Sequence, residues 1–231
     1  CIVLSNSKDA INFERLETYK GIYHVLGGDI STSKGIAPSD LRIEELRKTT
    51  RDEPDYDKLM NYRIKILKEH GLGLKEIQDT IAKIEPLPGA KEFLDELRSC
   101  TQAIILSDTF EQFAAPLMKK LGLPTIFCNT LTVAPNGEIT GYKMRCEKSK
   151  YTTVKALQSC GFETIASGDS FNDLGMIQAS KAGFLFRTTD KIKADYPQYP
   201  AFEEYDDLKA NDNFKDLQTQ LNETENKIAR S

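Results

Sequence analysis

From Arg47 onward the chain alternates between stretches with apolar residues at helical spacing and short unbroken apolar runs. Leu59, Tyr62, Ile66 and Leu67 share one face of a helix that stops at Gly71. Leu74, Ile77, Ile81 and Ile84 repeat that spacing, so a helical hairpin with a glycine-containing turn is predicted. Pro86 and Pro88 mark a boundary. Beyond it, Pro88-Gly89-Ala90 opens a helix carrying Phe93, Leu94 and Leu97, and Ala103-Ile104-Ile105-Leu106 reads as a strand buried on both faces. Thr109-Phe110-Glu111-Gln112 has the form of a capping box that starts a helix running to Gly122-Leu123-Pro124. A strand is predicted over 125–128. A β-hairpin follows around Pro135-Asn136-Gly137, with Leu131 and Val133 before the turn and Ile139, Tyr142 and Met144 after it. Residues 151–159 read as a helix stopped by Gly161, and 164–166 and 183–186 as short strands with a helix between. Before Arg47 the pattern is weak: Ile2-Val3-Leu4 and residues 22–26 are short strand candidates, the second ended by Gly27-Gly28.

Repeated strand–helix order predicts an α/β fold, a parallel sheet wound with helices on both faces. A length of 231 residues suits one such domain with a small insertion. Residues 1–39 and 86–208 form the expected core, 40–85 a helical cap and 209–231 a polar tail, helical or frayed. With 39% hydrophobic and 29% charged residues the chain has the composition of a globular protein. A formal net charge of −4 offers no general attraction to nucleic acid or an anionic membrane, so an anionic ligand needs a local positive site or a metal. The five cysteines are scattered, with no Cys-x-x-Cys pair, which argues for free thiols rather than disulfides or a zinc site. No apolar run approaches the ~18–20 residues of a membrane span, and no secretory signal pattern is present, so a cytoplasmic protein is expected.

Ligands of open parallel sheets sit beyond the carboxyl ends of the strands. Ser107-Asp108-Thr109 follows one predicted strand there, Gly168-Asp169-Ser170-Phe171-Asn172-Asp173 follows another, and Lys150 stands near a helix start between them. These residue types suit phosphoryl transfer. The Ser107 hydroxyl and nearby N–H groups suit phosphate oxygens, Lys150 adds positive charge where negative charge develops, and Asp169 and Asp173 offer hard oxygens to magnesium. Taken singly, Ser107 reads equally as a turn or cap residue and Lys150 as a solvated helix residue. Two aspartates, a glycine and an asparagine directly after an apolar strand form the more specific signal.

With these motifs in view, the sequence resembles the haloacid-dehalogenase (HAD) superfamily. The likeness is to its phosphoserine phosphatase group, including the phosphoserine phosphatase/homoserine phosphotransferase branch, and runs from about Leu46 to Leu208. It is carried by the two motifs above, by Thr49-Thr50-Arg51-Asp52-Glu53-Pro54-Asp55-Tyr56-Asp57, by Gly141-Tyr142-Lys143-Met144-Arg145 and by Pro197-Gln198-Tyr199-Pro200-Ala201. The resemblance implies a HAD-like doubly wound parallel sheet core with a small helical cap inserted near the N-terminus. It implies magnesium as cofactor and an aspartyl-phosphate route. The expected ligand is O-phosphoserine or a similar small phosphorylated amino acid, as in serine biosynthesis, with no nucleic acid or membrane partner and a homodimer left open. It also implies roles: Ser107 and Lys150 in catalysis, with Ser107 holding phosphate; Asp169 as principal metal ligand, with Asp173 supporting that loop and counted with the metal; Asn172 as substrate-binding; and Arg63 gripping a substrate carboxylate through its bidentate fork.

The family pattern begins with a strand ending in Asp-x-Asp or Asp-x-Glu, whose first aspartate attacks phosphorus and whose second acid moves the proton. Residues 1–45 contain neither form. Counting back about 25 residues from Thr49 lands on His24-Val25-Leu26. Asp29 follows in a Gly-rich turn, with Ser31 in the partner position; Asp9 has Ile11 there. Two functional classes are therefore expected to compete: an active phosphatase or phosphotransferase, and a homologue that binds magnesium and phosphate as a regulatory or partner-binding protein. A receiver-like signalling domain also uses acids and a lysine on such a sheet. The helical insertion and the residue 168–173 loop argue against it.

Overall fold

The computed structural model describes residues 2–5, 55–212 and 215. The expected strand at 22–26, the candidates Asp9 and Asp29, and the first part of the expected cap lie outside the described residues.

Strand β1 (Ile2–Ser5) is followed by the helical hairpin α1 (Tyr56–Glu69) and α2 (Leu74–Ile81). Then come α3 (Ala90–Cys100), β2 (Ala103–Phe110), α4 (Glu111–Lys120), β3 (Thr125–Val133) and β4 (Ile139–Lys143). The chain continues with α5 (Ser149–Ser159), β5 (Ile165–Gly168), a 3-10 turn (Phe171–Asp173), α6 (Leu174–Ala179), β6 (Ala182–Phe186), α7 (Asp190–Asp195), β7 (Ala201–Phe202) and α8 (Tyr205–Lys209). The sheet order is β4-β3-β2-β1-β5-β6-β7. Every neighbouring pair is parallel except β3–β4, the expected hairpin. In the central ladder Ser5 lies opposite Leu106, and Leu4 opposite Ser167.

The unbroken apolar run of β2 is explained by burial on both faces. Ala103 and Ile105 join a cluster with apolar residues of α1, α2, α3, α4 and α8, whereas Ile104 and Leu106 join a second with Val154, Leu174, Met176, Ile177 and Ile192 of α5, α6 and α7. The doubly wound core is therefore present. The hairpin belongs to the first cluster through Met60, Ile66, Leu67, Ile77 and Ile81. Each such burial contributes about 1.5–3 kcal/mol. The exposed Lys68–Glu138 ion pair at 2.7 Å contributes at most about 1 kcal/mol. Apolar packing therefore seats the hairpin, and polar contacts set its register: Leu74 N–H donates to Gly137 C=O (2.9 Å), and Gln78 Nε2 to Gln112 C=O (2.6 Å).

Two differences from the sequence pattern follow from the packing. The capping box at Thr109 does not form. β2 continues to Phe110, which is fully buried and pairs with Asn129, so α4 starts without a side-chain cap and Thr109 N–H turns to Ser107 Oγ (3.2 Å). One nine-residue β3 serves both the parallel ladder with β2 and the hairpin with β4, where separate strands were expected. The short strand expected at Ile2-Val3-Leu4 forms, as Ile2–Ser5, and takes the central position of the sheet. Among the described residues no helix is long and apolar enough to cross a membrane.

Candidate active site

Four of the expected residues, Ser107, Lys150, Asp169 and Asp173, lie at the carboxyl ends of β2 and β5 and the start of α5, and Lys150 and Asp173 are in contact. Ser107 is the last buried residue of the apolar part of β2, and a register shift between Leu106 and Phe110 turns the chain out of the ladder just beyond it. Lys150 lies in the first turn of α5, buried with 6% exposure. Its Nζ donates to Asp173 Oδ1 at 2.7 Å and stands 3.4 Å from Asp108 Oδ2. Lys150 therefore ties the turn after β2 to the loop after β5. Asp169, half-buried, begins that second loop, and its carbonyl accepts from Thr188 Oγ1 at 2.6 Å.

Asp173 is fully buried, and both its oxygens are occupied. Oδ2 accepts from the backbone N–H groups of Asp169 and Ser170 (3.0 Å each) and from Ser170 Oγ (2.9 Å), while Oδ1 takes Lys150. The capping box around the 3-10 turn is the local reason: Ser170 and Asp173 satisfy each other's backbone donors. Gly168 is required beneath it, because a Cβ there would stand 2.5 Å from Asp173 Cβ. Asn172 lies exposed on the 3-10 turn. Among the described residues no group of three or more His, Cys, Asp and Glu is arranged to hold a metal.

Burial lowers the affinity of Lys150 for its proton, but the charges of Asp173 and Asp108 and the bonds to them outweigh it, so its pKa rises above the usual lysine value. Lys150 is thus a fixed cation. Arg63, on α1, is buried, which pulls its pKa down against the favourable pull of Tyr56. The Tyr56 phenol is raised chiefly by burial. Arg63 pulls it down, and Asp108 and Asp57 push it further up. Those opposing influences put Arg63, Tyr56 and Asp108 in one electrostatic neighbourhood, with α1 beside the turn that follows Ser107.

Pattern reading missed Asn129 and Thr188 and gave Asp108 no role of its own. Asn129 is buried: its Nδ2 donates to Asp108 C=O (3.0 Å) and its Oδ1 accepts Arg145 N–H (3.0 Å). One amide thereby fixes the turn after Ser107 to the segment leading into α5. Its signal was available, since an asparagine inside an apolar strand has to find partners.

A Toprim domain model matches residues 1–76 and a LemA family model residues 199–231, each well short of half the chain. Phosphoserine phosphatase ThrH of Pseudomonas aeruginosa is 46% identical over 167 residues, 72% of this chain and 82% of that protein. The chain belongs to the phosphoserine phosphatase/homoserine phosphotransferase group of the HAD superfamily. A phosphoserine phosphatase of Pseudomonas syringae pv. tomato is equally similar, 46% over 72% of this chain and 70% of its own. Solved structures agree on the HAD fold. A phosphoserine phosphatase in apo form superposes with a TM-score of 0.61 at 21% identity over 88% of this chain and 93% of its own. A phosphoserine phosphatase from T. onnurineus gives 0.59 at 16% identity over 90% and 91%.

Proposed function

We propose that this HAD protein is a magnesium-dependent phosphatase or phosphotransferase acting on O-phosphoserine or a similar small phosphorylated amino acid. The observation that carries the reading is the buried Lys150, held between Asp173 of the β5 loop and Asp108 of the turn after Ser107. A preorganised cation at the mouth of a parallel sheet, beside a hydroxyl and backbone donors, suits a phosphoryl group. Ser107 and Lys150 orient that group, and the two curated relatives are named phosphoserine phosphatases.

Magnesium binds through one or two carboxylates and keeps several waters. Asp169 is the described carboxylate that fits this donor chemistry, because Asp173 already spends both oxygens on Lys150 and the loop backbone. Asp173 therefore anchors the loop rather than ligating. A bound magnesium would neutralise phosphoryl charge, while Lys150 keeps its proton and its place. Residues 40–85 act as a cap whose Arg63 receives the substrate carboxylate and whose closure excludes water. The aspartyl-phosphate route needs an aspartate from the segment before residue 55.

Phosphate release from O-phosphoserine with magnesium, measured for the native chain and Asp169→Ala, tests the reading: release that depends on Asp169 supports it, and equal rates end the role of Asp169. The absence of Asp-x-Asp or Asp-x-Glu from residues 1–45 favours a second reading, a homologue that binds magnesium and phosphate without turnover. That reading expects ligand-dependent thermal stabilisation with no phosphate released.

A further inference from the structure

In the scheme above the carboxylate of Asp108 only helps to hold Lys150, yet its placement gives it room for a second task. It is half exposed, and it stands 3.4 Å from Lys150 Nζ, which is already bound more closely by Asp173. Its backbone is fixed from below by the buried Asn129 amide. On the other side it is overlooked by α1. The Phe110 ring meets Tyr142 edge-on with centroids 6.2 Å apart, and Tyr142 meets Tyr56 at 5.9 Å, so the first turn of α1 stands against the carboxyl end of β2. The hydroxyl of Tyr142 donates to Asp57 Oδ1.

A phosphoamino acid carries three charged groups. The phosphoryl group belongs with Ser107, Lys150 and Asp169, and the carboxylate with Arg63 of α1. The ammonium group, on the carbon between them, then needs an anion near both Lys150 and α1. Among the described carboxylates there, Asp173 is fully buried with both oxygens used, Asp57 accepts Tyr142 through Oδ1, and Asp108 stands beside Lys150. We infer that Asp108 is the specificity-determining residue that receives the α-ammonium group, so that the site selects phosphorylated amino acids over phosphorylated hydroxy acids. This rests on the phosphoamino acid reading of the site. As the weaker of the two partners of Lys150, Asp108 gives up little when it turns to a ligand.

The test compares binding of O-phospho-L-serine with that of the L enantiomer of 3-phosphoglycerate, which has a hydroxyl in place of the ammonium, by calorimetry with magnesium present. The native chain should prefer the amino acid. Asp108→Asn should lower the preference ratio by about tenfold or more, the scale of a hydrogen bond to a charged group, and Asp108→Glu should retain part of it. Any effect transmitted through Lys150 acts on the phosphoryl group common to both ligands and cancels in the ratio. A ratio unchanged in Asp108→Asn, with both affinities shifted equally, overturns the inference and leaves Asp108 a partner of Lys150 only. Phosphate release by the native chain reports separately on the functional reading: no turnover with an intact ratio would sink that reading and leave the ammonium site standing. Failure to bind either ligand overturns both.

Discussion

Replacing Asp173 with asparagine isolates the charge that holds the site together. The side chain keeps its shape, which matters because the loop closes so tightly that a Cβ at Gly168 would stand 2.5 Å from Asp173 Cβ. An asparagine oxygen still accepts from the Asp169 and Ser170 N–H groups. What disappears is the partner of a cation that is 6% exposed. Removing one member of a buried pair costs about 3–5 kcal/mol because the other charge stays buried. Asp108, 3.4 Å away and half exposed, offsets part of this, so the low end, about 3 kcal/mol, is expected for Asp173→Asn. At this chain length that corresponds to a fall in Tm of roughly 6–12 °C.

Urea unfolding of the native chain, Asp173→Asn, Lys150→Met and the double variant measures the coupling. Because the double variant has no stranded charge, it should be more stable than the sum of the single losses predicts, by about 2 kcal/mol. Single losses that add to within about 0.5 kcal/mol would refute the claim that the two side chains act as one unit. The pH dependence has a definite sign. The Lys150 pKa is raised on folding, so the contribution is fully present below the unfolded value of 10.5 and is lost as pH rises through the higher folded value. The native-minus-variant difference should be flat through neutral pH and shrink only in strong alkali.

Gly168→Ala should cost about 1–3 kcal/mol by forcing Asp173 from its place, and should lower phosphate release along with stability, read by thermal unfolding and a rate assay. The Cys128 thiol is pushed up to about 11, first by burial and then by Glu111, with Arg145 opposing. At pH 8 the native chain should therefore alkylate there roughly 100-fold more slowly than the unfolded chain, followed by residue-resolved mass spectrometry. Tyr142→Phe removes the bond to Asp57; KM for O-phosphoserine should rise about fivefold with kcat little changed, the equivalent of one ordinary hydrogen bond.

The parts of the fold legible in sequence are those whose signal is local. β2 and β6 showed as apolar runs, the α1–α2 hairpin as helical spacing with Gly71 as its stop, and β3–β4 as alternation around a Pro-Asn-Gly turn. The short elements α7, β7 and α8, of six residues or fewer, carry too few positions for a period and depend on packing: β7 and α8 on Phe184 and Phe186, and α7 through Ile192 in the second cluster. At the site, motif spacing pointed to Ser107, Lys150 and Asp169. It could not show that Asp173 also spends its carboxylate on Lys150, nor that Asn129 links the turn after Ser107 to the approach to α5. Those bonds join residues 16 to 23 positions apart, and only the tertiary fold brings them within reach.

Residues 1–45 lack the Asp-x-Asp or Asp-x-Glu form, so the attacking group has to be sought by experiment. Counting from Thr49 lands on His24-Val25-Leu26, and Asp29 comes several residues later. Ile2-Val3-Leu4 showed as a short apolar run, but only the ladder, which sets Ile2–Ser5 between β2 and β5, shows that it is the central strand. That register puts Ser5 level with Leu106, one residue before Ser107, and Leu4 level with Ser167, two before Asp169. On the aspartyl-phosphate route proposed above, the stretch of sequence to search is the one that follows Ser5. Asp9 is the first carboxylate there, and Asp29 follows 20 residues later. Asp9→Asn should therefore abolish phosphate release and Asp29→Asn leave it intact, with binding of O-phosphoserine retained by both. Turnover slower than in chains with Asp-x-Asp is expected as well, because Ile11 cannot move a proton to the leaving oxygen. Loss of release in Asp29→Asn alone would show that the strand ending at Ser5 does not deliver the attacking group.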